Sequence, residues 1–273
     1  MSHVRNRPYQ TLQYRLGDWT PYQTNVIREQ AVSLTVNNET WLTFMCTPTA
    51  VEALAIGFLY DEEIIQYVGD VASVRVCPGG DNVDVWLNVP VKKPERWIRT
   101  SGCSGGETSI HKGSQSTSLQ GKRNGKILPP ERVGILLRQL GAAQDLYRIT
   151  GGVHTSALSD GEKVIITAED IGRHNTLDKL TGRYLLENIQ LSTKVILTTG
   201  RISSEMVQKA HRMGASVVIS RTSPSSLSVE MAEGNGITLI GYARQEQFTV
   251  YTHPERLLQA DVMEVEKVRQ HDE

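Results

Sequence analysis

The sequence predicts an α/β protein in which a small α+β unit precedes a larger α/β domain. Three observations predict it. Residues 31–46 and 71–89 alternate apolar and polar side chains with the period of half-buried strands. From Pro129 onward, short apolar runs alternate with segments of helical spacing, the order that builds a largely parallel sheet covered on both faces. Between them, 14 of the 25 residues from 101 to 125 are Gly, Ser or Thr, and no spacing typical of a strand or helix occurs.

The chain opens on a polar leader, residues 1–22, with arginines and no continuous apolar run, so it reads as neither a secretory signal nor an anchor. Residues 31–36 and 41–46 alternate around Asn37-Asn38-Glu39, which predicts a hairpin. Residues 48–60 change to helical spacing, with Val51, Leu54, Ala55, Phe58 and Leu59 on one face and Thr47 or Thr49 as start signal. Residues 71–77 and 83–89 flank Pro78-Gly79-Gly80-Asp81, a second hairpin. Beyond the Gly/Ser/Thr tract, Pro129-Pro130 precedes an amphipathic helix over 131–147 carrying Val133, Leu136, Leu137, Leu140 and Leu146. Strands at 163–167, 194–198, 216–220 and 237–240 then alternate with helices near 175–186, 203–213 and 227–233, and the charged tail from Ala260 frays.

A formal net charge of −1 over 273 residues argues against a general nucleic-acid or anionic-membrane binder. No stretch approaches about 18 consecutive apolar residues, so no membrane span is expected and the cytoplasm is the predicted compartment. The three cysteines are too sparse for a disulfide framework. Cys46 and Cys77 sit in or at the end of apolar strand runs, whereas Cys103 sits in Thr100-Ser101-Gly102-Cys103-Ser104-Gly105-Gly106-Glu107, with little steric cover on either side. Two readings stand for this stretch: an arm that carries a reactive sulfur, or a linker with an incidental cysteine.

Polar residues cluster where strands give way to helices, the place at which open α/β sheets bind ligands. Thr199-Gly200-Arg201-Ile202-Ser203-Ser204 and Arg221-Thr222-Ser223-Pro224-Ser225-Ser226 each combine a guanidinium with hydroxyls at a helix start, the ingredients of a phosphate site. A single such junction signals only a helix cap; two adjacent ones point to an anion. Glu169-Asp170-Ile171-Gly172-Arg173-His174-Asn175 packs four ionisable groups into seven residues, to be read either as a structural Asp170–Arg173 ion pair with a packed His174 or as a ligand-facing edge. His154, after a glycine turn, is by itself more typical of a buried imidazole. The His-x-Glu and Pro-Cys-x-x-Cys of zinc deaminases are absent, and no ligand set has zinc-like spacing. A Cys103–His154 or Cys103–His174–Asn175 hydrolase would need a rigidly held nucleophile, which the glycine-rich context opposes.

Taken together, Glu52-Ala53-Leu54-Ala55-Ile56-Gly57-Phe58-Leu59, Thr100-Ser101-Gly102-Cys103, Thr150-Gly151-Gly152-Val153-His154, the run from Ala168 to Lys179, Thr199-Gly200-Arg201, Ser223-Pro224-Ser225-Ser226-Leu227 and Val250-Tyr251-Thr252-His253-Pro254-Glu255-Arg256 resemble the formate dehydrogenase accessory sulfurtransferase family, FdhD, over about residues 30 to 257. The resemblance implies a cytidine-deaminase-like three-layer α/β domain lacking the zinc motif over residues 126–273, after a smaller α+β domain over 1–125 that ends in a mobile Cys103 loop. It implies a sulfur carrier that takes persulfide sulfur from a cysteine desulfurase onto Cys103. From there the sulfur passes to the molybdenum cofactor, bis(molybdopterin guanine dinucleotide), before that cofactor enters formate dehydrogenase. The alternative is a chaperone that binds the cofactor without covalent chemistry. By the same likeness Phe248, Thr249, Val250, Tyr251, Thr252 and His253 contact the cofactor. The reading of the junctions fits beside it: Gly200, Arg201, Ser203, Arg221 and Ser223 would hold the phosphates of the guanine dinucleotide ends, and Arg173, His174 and His253 would line the same cavity. No protein-bound metal is implied, and a homodimer is. Many members carry Cys-x-x-Cys in the loop; here Gly106 takes the second position, so a single thiolate must serve, with Arg99, His111 or Lys112 available to lower its pKa.

Overall fold

The computed structural model describes residues 5–94, 97–99, 107–109 and 128–257. The N-terminal elements are β1 (Asn6–Arg15), β2 (Asp18–Ile27), β3 (Gln30–Val36), β4 (Glu39–Cys46), α1 (Val51–Asp61), β5 (Val71–Val76), β6 (Asn82–Leu87), β7 (Trp97–Arg99) and β8 (Glu107–Ser109). They are followed by α2 (Pro130–Ala142), α3 (Asp145–Thr150), β9 (His154–Ser159), β10 (Val164–Asp170), α4 (Arg173–Leu186), β11 (Val195–Thr198), α5 (Ser204–Arg212), β12 (Val217–Ser220), α6 (Ser226–Gly234), β13 (Thr238–Gly241) and β14 (Thr249–Val250). The chain divides into a unit of Met1–Ile110, Gln144–Thr155 and Ala168–Asn188 and a unit of His111–Ala143, Ser156–Thr167 and Ile189–Glu273.

In the first unit both expected hairpins form, and they join into a sheet of order β4-β3-β6-β5, with β3 and β6 parallel. Asn37 and Asn38 both adopt positive φ, the two-residue turn that matches strand twist. Val32, Leu34, Val36 and Phe44 face α1, with the Phe44 and Phe58 rings edge to face at 5.2 Å. α1 is buried nearly all round instead of on one stripe, because α4 lies against it. Its N-cap is Ala50 in the left-handed region, not Thr47 or Thr49.

The leader is not structureless. β1 and β2 pair over ten residues each, closed by Leu16 and Gly17 at positive φ. Pattern reading missed this ribbon because aromatic and polar residues occur on both of its faces, so no period-2 contrast marks it. A second departure lies in the Gly/Ser/Thr tract, where β8 pairs antiparallel with β7 and places Arg99 opposite Glu107. Backbone hydrogen bonding can build such a pair without apolar alternation. Residues 100–106, including Cys103, lie outside the described residues, as does the tail from residue 258.

The second unit is built on a six-stranded sheet of order β10-β9-β11-β12-β13-β14. β11 and β12, and β12 and β13, pair parallel, whereas β9 pairs antiparallel with β11 and β14 antiparallel with β13, so the sheet is mixed where a largely parallel one was expected. Every residue of β11, β12 and β13 is buried, as strands covered on both faces must be. Val133, Leu136 and Leu140 of α2 pack with Val195, Leu197, Val217, Ile219 and Ile240. The helix expected over 131–147 is two helices. The break at Gln144 is held by its own amide, which donates to Thr155 Oγ1 at 3.0 Å. Glu169 accepts from the N–H groups of Leu146 (2.7 Å) and Tyr147 (3.0 Å), capping α3 in place of a continued helix.

Candidate functional site

The acidic motif at residues 168–179 folds into a fully buried polar hub of the first unit. Asp170 Oδ2 accepts from Lys179 Nζ at 2.5 Å and from Thr47 N at 3.0 Å; Oδ1 accepts from Gly172 N at 2.8 Å and Asn175 Nδ2 at 2.9 Å. Lys179 also donates to Thr47 O at 2.8 Å, and Asn175 to Met45 O at 2.9 Å. Asp170 and Lys179 are 0% and 1% exposed. The hub therefore ties the end of β4 to the first two turns of α4. Asp170 is paired with Lys179, nine residues on. Arg173 and His174 are themselves buried on the first turn of α4, and His154 is half-buried at the start of β9.

The second unit brings together the strand-to-helix junctions. Because β11, β12 and β13 are parallel, Thr198, Ser220 and Gly241 end at one sheet edge. A chain of buried hydroxyls stitches that edge. Ser156 Oγ donates to Thr198 Oγ1 (3.1 Å), Gly200 N donates to the same Thr198 oxygen (3.2 Å), Ser220 Oγ donates to Gly200 O (2.7 Å), and Thr222 N donates to Ser220 Oγ (3.0 Å). Ile202 N donates to Ser223 O at 3.2 Å, and Ser225 N to Ile202 O at 3.0 Å, so the two loops are one structure. This leaves Arg201 and Arg221 exposed, near Ser203 at the start of α5 and Ser223 in the loop that leads into α6. An edge with two guanidinium groups, hydroxyls and two helix N-termini is chemically suited to phosphate oxygens.

The segment 248–253 does not lie wholly at that edge. β14 is antiparallel to β13, with Thr249 opposite Gly241 and Val250 opposite Ile240. Phe248 and Thr249 thus begin beside the loops. The Tyr251 ring reaches back over Gly241, where an added Cβ would meet Tyr251 Cε2 at 2.9 Å and Pro224 Cδ at 3.1 Å. Thr252 and His253 reach the opposite edge, at the start of β13. Thr252, 2% exposed, accepts from Leu239 N (2.9 Å) and donates to Ile237 O (2.7 Å). His253, at φ 49°, sets Nδ1 2.9 Å from Glu255 Oε1 and Nε2 3.0 Å from Glu233 O. Partial burial pushes the Glu255 carboxyl up, but a backbone N–H and the His253 ring outweigh it and hold it below the usual range.

Two thiols are described. Cys46 is fully buried; burial and then the Asp170 charge push its thiol up to about 12. At about pH 8 its thiolate fraction is on the order of 10⁻⁴, against about a quarter for an ordinary thiol. Alkylation of the native protein by iodoacetamide should label Cys46 at least about 1,000-fold more slowly than alkylation in denaturant; equal rates would contradict this burial. Cys77 sits half-buried in the turn just past β5, where its Sγ–H donates to Asp81 Oδ1 at 2.9 Å. That bond, with a backbone one, holds the Asp81 carboxyl below the usual range. Cys103 lies outside the described residues, in the segment between the paired strands β7 and β8.

Sequence reasoning missed Thr47, Lys179 and Glu169 as structural partners, and Ser156, Thr198 and Ser220 as the stitching hydroxyls. For Thr198 and Ser220 the signal was present: each is the one hydroxyl of an apolar strand, and a buried hydroxyl requires a partner, whereas Ser156 sits among other hydroxyls in β9. Among the described residues, no helix is long and apolar enough to cross a membrane.

A family model described as the FdhD/NarQ family matches residues 27–258. Among curated proteins, the chain is 36% identical over 255 residues to the sulfur carrier protein FdhD of Bacillus pumilus (strain SAFR-032), covering 90% of this chain and 95% of that one. It is 35% identical over 248 residues to the sulfur carrier protein FdhD of Bacillus subtilis (strain 168), covering 89% and 94%. A crystal structure of a candidate formate dehydrogenase accessory protein from Desulfotalea psychrophila matches with a TM-score of 0.74 at 26% identity, over 93% of this chain and 100% of that one. The similarity spans the Cys103 segment, the buried hub and the stitched sheet edge alike, and on that evidence the chain belongs to the FdhD/NarQ family.

Proposed function

We propose that this protein is a sulfur carrier in the maturation of formate dehydrogenase, working in the cytoplasm as a homodimer. The observation that carries the proposal is the likeness to proteins named sulfur carriers across nine-tenths of the chain. Cys103 receives the sulfur. Its thiolate attacks the outer sulfur of a desulfurase persulfide; the donor's S–S bond breaks as a new one forms on Cys103, and the desulfurase thiol leaves. No oxidant is consumed, which is why one cysteine suffices although Gly106 stands where many relatives have a second. The state of the other two thiols supports this role for Cys103: Cys46 is buried with a raised pKa, and Cys77 is engaged with Asp81.

The acceptor is the molybdenum cofactor, whose guanine dinucleotide ends bring phosphates. The edge at Gly200, Arg201, Ser203 and Ser223 suits those oxygens, and Phe248, Thr249 and Tyr251 flank it. Incubation with a cysteine desulfurase and cysteine should add one sulfur atom to the Cys103 peptide by mass spectrometry, and Cys103→Ser should abolish the gain. Cys103→Ala should remove formate dehydrogenase maturation while guanine-nucleotide binding survives. A chain that only shelters the cofactor would show no mass gain, and persistence of the gain in Cys103→Ser would move the chemistry to another residue.

A further inference from the structure

The β1–β2 ribbon carries an apolar tip that none of the described residues covers. Residues directly opposite on an antiparallel pair share a face, so Leu12 with Pro21 and Tyr14 with Trp19 form one cluster near the turn. Leu12, Tyr14 and Trp19 are 67%, 60% and 66% exposed, and the Tyr14 and Trp19 rings lie 5.2 Å apart. The same face is covered at the ribbon's base: the methyl of Ile27 packs 3.1 Å from the Cβ position of Gly152, just past α3, and α3 lies beside β2. α3 in turn exposes Tyr147 and Ile149.

A two-stranded ribbon is marginal in water on its own, and its stability requires a surface to lie on. Its composition matches a protein interface and not a solvated arm. Residues 6–27 contain four aromatics and two arginines, one Asp, and no Lys or Glu. With so little charge, the ribbon has nothing with which to select a strongly acidic or basic partner.

Area selects the occupant. Ten residues at about 3.3 Å each and two strands about 5 Å apart give a face of about 330 Å². A stable interface needs about 800 Å² from each partner. One ribbon laid on a foreign protein supplies less than half of that. Two copies that exchange ribbons about a two-fold axis each give one face and receive another, about 660 Å² per copy before side-chain relief is counted, which approaches that size where a single ribbon does not.

We infer that the β1–β2 ribbon is a pairing arm: the Leu12–Tyr14–Trp19 tip of one copy seats on Tyr147 and Ile149 of α3 in a second copy, and the exchange is reciprocal. The inference rests on the homodimer proposed above and is independent of sulfur transfer. Sedimentation equilibrium of the full chain should show a dimer at micromolar concentration. In Leu12→Asp/Trp19→Asp the dissociation constant should rise about 100-fold or more, since each change is felt twice across a two-fold axis. The melting temperature of the dissociated variant should match that of dilute wild type, because both residues are exposed. A photo-crosslinking side chain at position 19 should join heavy- to light-isotope copies through peptides of α3. A wild-type dimer that the double change leaves intact would overturn the arm and leave the homodimer standing. A monomeric wild type would overturn both, and crosslinks confined within single copies would overturn the arm.

Discussion

Lys179→Met should cost about 3–5 kcal/mol of stability, because it strands the Asp170 carboxylate in a fully buried site without its counter-charge. For a chain of this size that corresponds to a fall in melting temperature of roughly 10 °C. Asp170 would retain the N–H groups of Thr47 and Gly172 and the Asn175 amide, but hydrogen bonds alone do not offset the desolvation of an ion. The main chain would suffer too, since Lys179 is the donor to Thr47 O. Asp170→Asn/Lys179→Met, which removes both charges, should cost less than the sum of the single changes. Urea unfolding of the four proteins measures the coupling. A loss below about 1 kcal/mol for Lys179→Met would mean that water reaches the pair.

The hub also explains why this motif was only half legible. Glu169, Asp170, Arg173, His174 and Asn175 stand out as a dense polar run between a strand and a helix, and a run of that kind draws attention as a ligand site. The hub's purpose becomes visible only with the end of β4, more than 120 residues earlier, whose Thr47 and Met45 meet Asp170, Lys179 and Asn175. Patterning along the chain carries no information about such a pairing. The hairpin of β3 and β4 and the strands β11, β12 and β13 were legible because one period or one apolar run fixes each. β9 and β14 were not: β9 mixes hydroxyls with buried apolar residues, and β14 is two residues long.

The loops at the sheet edge were recognisable for a different reason. Gly200, Arg201, Ser203 and Ser223 are residue types that favour junctions and anions, and parallel strands place successive junctions side by side. The fate of residues 248–253 could not be read in that way. They look like one functional block in sequence, yet an antiparallel strand delivers its two ends to opposite edges of the sheet. Direction of pairing, not composition, separates Thr249 from His253.

Gly57→Ala should be the more severe of the two changes, with a loss above about 4 kcal/mol or failure to fold. A Cβ built at Gly57 falls 1.7 Å from Asp178 O and 2.7 Å from Gly182 N; one at Gly182 falls 1.8 Å from Ala53 O. Each of these atoms is backbone, so no side chain can swing aside, and the α1–α4 crossing must open along its length. Overpacking usually costs about 1–3 kcal/mol because rotamers and short segments adjust. Here the adjustment would part Leu54 and Phe58 from the core and move the Asp178 turn of α4, which lies next to Lys179. The hub and the crossing are therefore coupled, and Gly57→Ala should also weaken the Asp170–Lys179 interaction energy. Gly141→Ala is the matched control. Gly141 lies in α2 with nothing within 4 Å of its Cβ position, so the same methyl there should stabilise by about 0.5–1 kcal/mol through helix propensity. Opposite signs for the two Gly→Ala changes, read by thermal unfolding, are the expected result. A Gly57→Ala protein that melts within a few degrees of wild type would show that the two helices do not touch backbone to backbone.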